Sequence, residues 1–158
     1  MKPLNWKTSL TLFLGICWLF LSAVSAEDGE KKVKMKDLPP AVQQTVKQVS
    51  QGATLRGLAR ETENGKVFYE VELTVNGRTK DVLLDESGGV VVIEEEVALE
   101  SLPQPARSAI EQKAGGGKIL KVESITKGNA IVTYEAIVKA SGKNKEIKVA
   151  PDGALVNK

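Results

Sequence analysis

The sequence predicts an α+β protein built as two tandem α-β-β-β units, each an antiparallel sheet with one helix packed on one face. Three observations predict it. The chain repeats itself over most of its length. Each copy opens on a proline-started stretch with apolar residues at helical spacing, then runs through alternating strands separated by glycine turns.

The repeat carries the most weight. "DLPPAVQQTVKQVSQG", from Asp37, matches "SLPQPARSAIEQKAGG", from Ser101, at an offset of 64. Val42 falls on Ala106, Val46 on Ile110, Gly52 on Gly116 and Leu58 on Val122. One single-residue slip then sets the offset to 65. Beyond it Tyr69-Glu70 falls on Tyr134-Glu135, Gly77 on Gly142, Lys80 on Lys145 and Gly88 on Gly153. Matches held in order across one slip mark a duplication, with unit 1 at residues 37–96 and unit 2 at residues 97–158.

In each unit the helix is first. Pro39 and Pro40 suit a first helical turn, where a missing N–H costs nothing. Val42, Val46 and Val49 form one apolar stripe, and Gly52 stops the helix, as the Gly115–Gly117 run does in unit 2. Strands are expected at residues 55–61, 67–75 and 79–84, then at 118–126, 130–140 and 143–149. In the middle strand Tyr69, Val71, Leu73 and Val75 point one way while Glu70, Glu72 and Thr74 point the other, so the sheet has one buried and one wet face. Asn76-Gly77 and Ser141-Gly142 are hairpin signals. The helix stripe and the sheet's apolar face must cover each other. Residues 90–100 read as a bridge that begins as a short extra strand. Cores of Val, Leu, Ile and Ala on so short a chain favour units that dock over independent beads.

Before the repeat lies a different kind of sequence. Lys2 and Lys7 precede the apolar run "SLTLFLGICWLFL", and "SAVSA" follows with small residues, the layout of a signal peptide over residues 1–26 cleaved after Ala26. An uncleaved anchor is the alternative, but the run is short of the roughly 20 apolar residues that span a bilayer. Residues 27–36 form a flexible charged segment. Cleavage removes Cys17, both tryptophans and two basic residues, leaving 20 basic against 20 acidic residues and no His anywhere. A neutral total argues against a nucleic-acid partner, and no membrane association is expected after cleavage. The balance is uneven, however. Residues 38–100 carry 6 basic and 11 acidic groups, residues 101–158 carry 10 and 5. That asymmetry reads either as drift of solvated faces or as attraction between the halves or toward a partner.

A chain without His or Cys builds no Ser-His-Asp or Cys-His nucleophile and lacks the usual ligands of zinc, copper or haem. No catalytic residue, cofactor or metal is therefore expected. Glu70 and Glu72 share a strand face, but their counterparts are Glu135 and Ile137, and a solvated face explains them better than a carboxylate pair flanking a cleft. "AGGGKI" lacks the Ser or Thr of a phosphate loop and aligns with a helix stop. "DESGG", from Asp85, lacks the spaced ligands of a calcium loop and reads as a turn, as does "APDG" in unit 2.

The helices opened by "LPPAV" and "LPQPA", the middle strands "FYEVEL" and "TYEAIV" and the third strands "KDVLLDESG" and "KEIKVAPDG" resemble tandem PepSY-like domains, the family that includes beta-lactamase-inhibitor-like units. The resemblance covers about residues 37–156. Unit 2 departs from it where Ala150-Pro151 replace an acidic residue before the turn. The resemblance implies small exported modules without catalytic residues that bind and restrain proteases or other envelope enzymes. On that basis the expected protein is a non-enzymatic binding module, periplasmic or secreted. Its expected interaction face is Glu70, Glu72, Lys80, Glu135, Lys139, Lys145 and Lys148 with the hairpin tips. The alternative is a small-ligand or ion-responsive envelope sensor.

Overall fold

The computed structural model describes residues 30–156, and the expected signal peptide lies outside them. In chain order the elements are β1 (Lys31–Lys32), α1 (Pro40–Val49), β2 (Thr54–Glu63), β3 (Lys66–Val75), β4 (Arg78–Asp85), β5 (Val90–Glu96), α2 (Gln104–Ala114), β6 (Lys118–Lys127), β7 (Ala130–Ala140) and β8 (Lys143–Val149). The strands form one eight-stranded antiparallel sheet in which every strand lies beside its neighbours in sequence. No helix among the described residues is long and apolar enough to cross a membrane.

Both helices sit on the same face. Val42 and Val46 of α1 pack on Leu58, Tyr69, Val71, Leu73, Val82 and Leu84. Ala106, Ile110 and Ala114 of α2 pack on Val122, Tyr134, Ala136, Val138, Ile147 and Val149. The repeat is kept in the register: Tyr69 faces Leu84 and Val71 faces Val82 as Tyr134 faces Val149 and Ala136 faces Ile147. Pro39 and Pro103 stand at the two helix starts, and α2 ends on Gly115 in the left-handed region at φ 58°. Asn76 and Gly77 have φ of 50° and 81°, Ser141 and Gly142 of 52° and 77°, the type I′ geometry whose twist suits a two-residue hairpin.

The acidic turns answer to the helices. A Cβ on Gly88 would stand 2.8 Å from the Ala41 carbonyl oxygen, and one on Gly153 would stand 2.7 Å from that of Pro105. Each turn is pressed against the first turn of its unit's helix, and Thr45 Oγ1 ties α1 to the Gly88 carbonyl at 2.8 Å. Only a residue without a side chain fits at either place.

The structure differs from the sequence reading in two places. Part of the expected flexible segment 27–36 is ordered on the sheet: Lys31 and Lys32 pair with Arg60 and Ala59, and Val33 and Met35 pack on the unit 1 core, because apolar Val33 and Met35 gain burial there. The other difference lies at residues 90–100. The expected bridge is a full strand, β5, paired with β4 from Leu84↔Val90 to Lys80↔Glu95 and with β6 from Val92↔Lys127 to Glu96↔Glu123. A looser bridge would leave the facing edges of β4 and β6 with unpaired donors and acceptors; β5 satisfies both. The two units are thus welded edge to edge into one sheet.

Candidate functional site

Among the described residues both helices cover one face, and the opposite face of the eight strands carries no helix. Side chains alternate, so β3 presents Phe68, Glu70 and Glu72 there, β4 presents Asp81 and Leu83, and β5 presents Val92, Glu94 and Glu96. On unit 2 the same face carries Lys121, Glu123 and Ile125 of β6, Thr133, Glu135 and Lys139 of β7, and Glu146 and Lys148 of β8. The expected wet face is only partly wet. Phe68, Leu83, Val92 and Ile125 form a small buried apolar cluster on it. Glu70, Glu123 and Glu135 are 9%, 2% and 3% exposed.

The seven residues of the expected interaction face divide between the two sides. Glu70, Glu72, Glu135, Lys139 and Lys148 share the open face. Lys80 and Lys145 do not. Lys80 faces Leu73 and Lys145 faces Val138, both helix-side residues, so these lysines emerge on the helix side. Lys80 Nζ meets Glu95 Oε1 at 2.8 Å, and Lys145 Nζ donates to the Lys113 carbonyl near the end of α2, where a cation suits the helix dipole. Their place two residues before Val82 and Ile147 carried this signal in the sequence.

In unit 2 the buried charge is compensated. Lys148 Nζ lies 2.9 Å from Glu135 Oε2 and 2.7 Å from Glu146 Oε1, and all but a small part of Lys148 and Glu135 is shielded from solvent. Burial raises the Glu135 pKa against the opposing hydrogen bond from Lys148. For Lys148, burial works downward but the hydrogen bonds to Glu146 and Glu135 prevail, and its pKa is raised. Beside them Lys121 Nζ meets Glu123 Oε1 at 2.5 Å. Glu135 Oε1 has no hydrogen-bond partner.

In unit 1 the equivalent carboxylate has no such cation. Glu70 faces Leu83 and Ala59 across the two neighbouring strands, where Glu135 faces Lys148 and Glu123. No hydrogen bond or ion pair among the described residues reaches its carboxylate. Arg56 serves the neighbours instead, with Nη2 2.7 Å from Asp81 Oδ1, Nη1 3.4 Å from Glu72 Oε2, and Nε donating to the Leu73 carbonyl. Around Glu70 stand Glu30 before β1, Glu61 on β2, Glu72 on β3 and Asp81 on β4, with exposed Lys32 of β1 one strand beyond Ala59. Burial, then Glu61, Asp81, Glu30 and Glu72, push the Glu70 pKa up to about 8. Burial and the carboxylates of Glu123, Glu135 and Asp81 push Glu94 up to about 8, and burial with Glu30 and Glu63 pushes Glu61 up to about 7. One oxygen from each of Glu30, Glu70 and Glu72 lies within 4.8 Å of the others.

The depression bounded by Glu70, Asp81, Leu83, Val92 and Glu94 is about 10 Å³, room for a single water and not for an organic substrate. A wider hollow of about 470 Å³ opens beside Asn76 and Val97. Its Lys80 is held by Glu95 and its Glu96 accepts from the Thr79 backbone N–H at 3.2 Å, so these polar groups are spent on the sheet itself. The open face is suited to contact and charge pairing.

Solved structures share this arrangement of sheet and helices. A protein assigned to the periplasm of Bacteroides eggerthii superposes with a TM-score of 0.63 at 17% identity, covering 76% of this chain and 86% of that one. The fold is that of these proteins. A DUF2874 family protein from Bacteroides ovatus matches at a TM-score of 0.58 and 20% identity over 76% and 85% of the two chains. A BLIP-like protein from Bacteroides fragilis matches at 0.55 and 22% over 76% and 84%. No protein-family model matches the chain, and no curated protein matches it.

Within this BLIP-like fold, the open-face residues that sequence reasoning passed over are Arg56, Glu61, Asp81, Glu94 and Glu123. Asp81 was legible, since it alternates with the core residues Val82 and Leu84. Glu94 and Glu123 depended on knowing that β5 joins β6, which no local pattern states.

Proposed function

We propose that this chain is an exported, non-enzymatic binding module that holds an envelope protein, a protease or another envelope enzyme, against the open face of its sheet. The observation that carries the reading is the one-sided cover: both helices pack on one face and leave a broad face rich in charged residues on the other. The BLIP-like fold, the signal-peptide layout of residues 1–26 and the absence of His and Cys from residues 27–158 support it. Arg56, Glu72, Lys121 and Lys139 would form the charged border of the contact, over the buried cluster of Phe68, Leu83 and Val92.

The test is retention and inhibition of a panel of purified envelope proteases by the immobilised protein. The reading expects at least one protease to be retained and slowed, with Lys121→Glu/Lys139→Glu weakening both effects about tenfold or more through loss of two border charges. Lys80→Glu/Lys145→Glu, on the helix side, should leave them unchanged. An interaction lost through the helix-side pair and kept by the open-face pair overturns the assignment of the face. Absence of retention and inhibition across the panel overturns the restraining role.

A further inference from the structure

We propose that the hairpin end of unit 2, where Lys113, Lys118, Lys139, Lys143 and Lys145 gather, docks on an anionic membrane surface. The inference goes beyond the protein-docking reading of the open face and does not depend on it. It also replaces the expectation of no membrane association, which rested on a neutral total that hides this local excess.

Backbone register brings the five lysines together. Lys118 opens β6 and faces Lys139 directly across the strand pair. Lys139 faces Asn144 on β8, between Lys143 and Lys145, and Lys143 follows the Ser141-Gly142 turn. Lys113 lies in the last turn of α2, and Lys145 Nζ donates to its carbonyl. All five are exposed. Leu120, at the irregularity between Ile119 and Lys121 in β6, adds an apolar side chain that is 46% exposed.

Two observations separate this patch from an ordinary solvated face. The first is that its charge is not neutralised within the chain. None of the five lysines is in an ion pair among the described residues. Of the acids in residues 101–158, Glu123, Glu135 and Glu146 pair with Lys121 and Lys148. Asp152 belongs to the turn pressed on the first turn of α2, the other end of that helix. Glu111 stands two residues before Lys113, a spacing that does not bring side chains together on a helix. The second observation is the internal repeat. Lys113, Lys118 and Lys139 are equivalent to Val49, Thr54 and Thr74, and Thr54 faces Thr74 as Lys118 faces Lys139. The fold therefore does not require lysines at these places. Like charges directly opposite on a strand pair destabilise it, and an anionic surface offsets that repulsion.

The shape of the patch selects a surface over a smaller ligand. Lys118 and Lys139 emerge on the open face, Lys143 and Lys145 on the helix side, and Lys113 at the end of α2, so the charge wraps around one end. Neither hollow described above is lined by any of the five. Clustered lysines beside an exposed apolar side chain suit peripheral attachment to anionic lipid. The signal-peptide layout of residues 1–26 supports delivery to a compartment that a bilayer bounds.

The test is co-sedimentation of the chain from Glu27 onward, which contains every described residue and lacks the apolar run of residues 9–21. The vesicles are phosphatidylcholine, with and without about 30% phosphatidylglycerol, at about 50 mM salt. Binding is expected to the anionic vesicles, and about tenfold or more weaker to neutral vesicles or at about 0.5 M salt. Lys113→Glu/Lys143→Glu, which leaves the charged border of the open face intact, should weaken binding about tenfold or more. Lys31→Glu/Lys32→Glu, at the far edge of the sheet, should change it by less than about twofold. Lys118→Glu should weaken binding while raising the thermal midpoint, because it sets opposite charges across the strand pair. That combination separates lost docking from lost folding. No sedimentation with anionic vesicles, or equal sedimentation with neutral ones, overturns the proposal. So does full binding by Lys113→Glu/Lys143→Glu. Retention on immobilised polyglutamate without vesicle binding assigns the patch to an acidic protein and likewise overturns it.

Discussion

Unit 1 and unit 2 place a glutamate at the same point of the same strand pair, yet the two carboxylates live differently. Glu135 faces Lys148 and is paired; Glu70 faces Leu83 and is not. The helices, hairpins, glycine turns and core register agree between the two halves, while the residues of the open face differ. Seen from the sequence, the excess of acid in one half and base in the other suggested either drift or attraction between the halves. The structure localises part of that asymmetry to this one position, where unit 2 has lysines at 121 and 148 and unit 1 has Gly57 and Leu83.

The largest effects should come from what the units share. Leu73→Ala and Ile110→Ala each empty a fully buried site, one in each unit's core, and each should cost about 2–5 kcal/mol. Because β5 joins the halves, urea unfolding of either variant should remain one transition followed alike by fluorescence and far-UV circular dichroism. Two separated transitions would show that the units fold independently.

Next in size, Lys148→Leu converts the unit 2 position to that of unit 1. It strips the cation from buried Glu135 and should cost about 3 kcal/mol at pH 8. The cost should shrink as pH falls, because burial raises the Glu135 pKa and eases its protonation. A loss that is small and flat with pH would mean that the ion pair does not distinguish the units.

The reciprocal comparison is one of pH. Glu70 and Glu94 titrate near 8 and Glu61 near 7 in the folded chain, against an ordinary 4.5. Between those values the folded state holds more protons than the unfolded state, so the stability they contribute is complete below about pH 4.5 and lost as pH rises toward 8. In chelator-treated protein the thermal midpoint should therefore fall from pH 5 to pH 8, and Glu70→Gln should flatten the fall. A midpoint that rises over this interval contradicts the assignment.

The smallest contrast lies in the turns. Asp85 Oδ1 accepts from Ser87 N at 2.8 Å, Ser87 Oγ at 2.6 Å and Gly89 N at 2.9 Å, whereas Asp152 Oδ1 accepts from Ala154 N alone. The Ser87 hydroxyl and then the backbone N–H groups hold the Asp85 pKa down, so its contribution is present above the unfolded pKa and lost in acid below it. Asp85→Ala should cost about 1 kcal/mol at pH 7 and Asp152→Ala a fraction of that, by chemical denaturation.

What could be read from the sequence was whatever repeats with a period or depends on one turn. The helix stripe of Val42 and Val46, the Asn76-Gly77 hairpin and the α+β class all belong to that kind. Residues 90–96 were harder, because a run such as "VVVIEEE" becomes an internal strand only when two free edges stand on either side of it. The candidate face was harder still. Its membership follows from parity, which Lys80 and Lys145 make plain once Val82 and Ile147 are known to be core. Burial of Glu70 and Glu135 left no mark on the local alternation, which places both on the polar side of their strands.

The order of the strands has a kinetic consequence. Each strand after β1 pairs with the strand just before it in the chain. The sheet can therefore lengthen one hairpin or short crossover at a time from its amino end, closing only modest loops as it grows. That kind of topology folds quickly for its size.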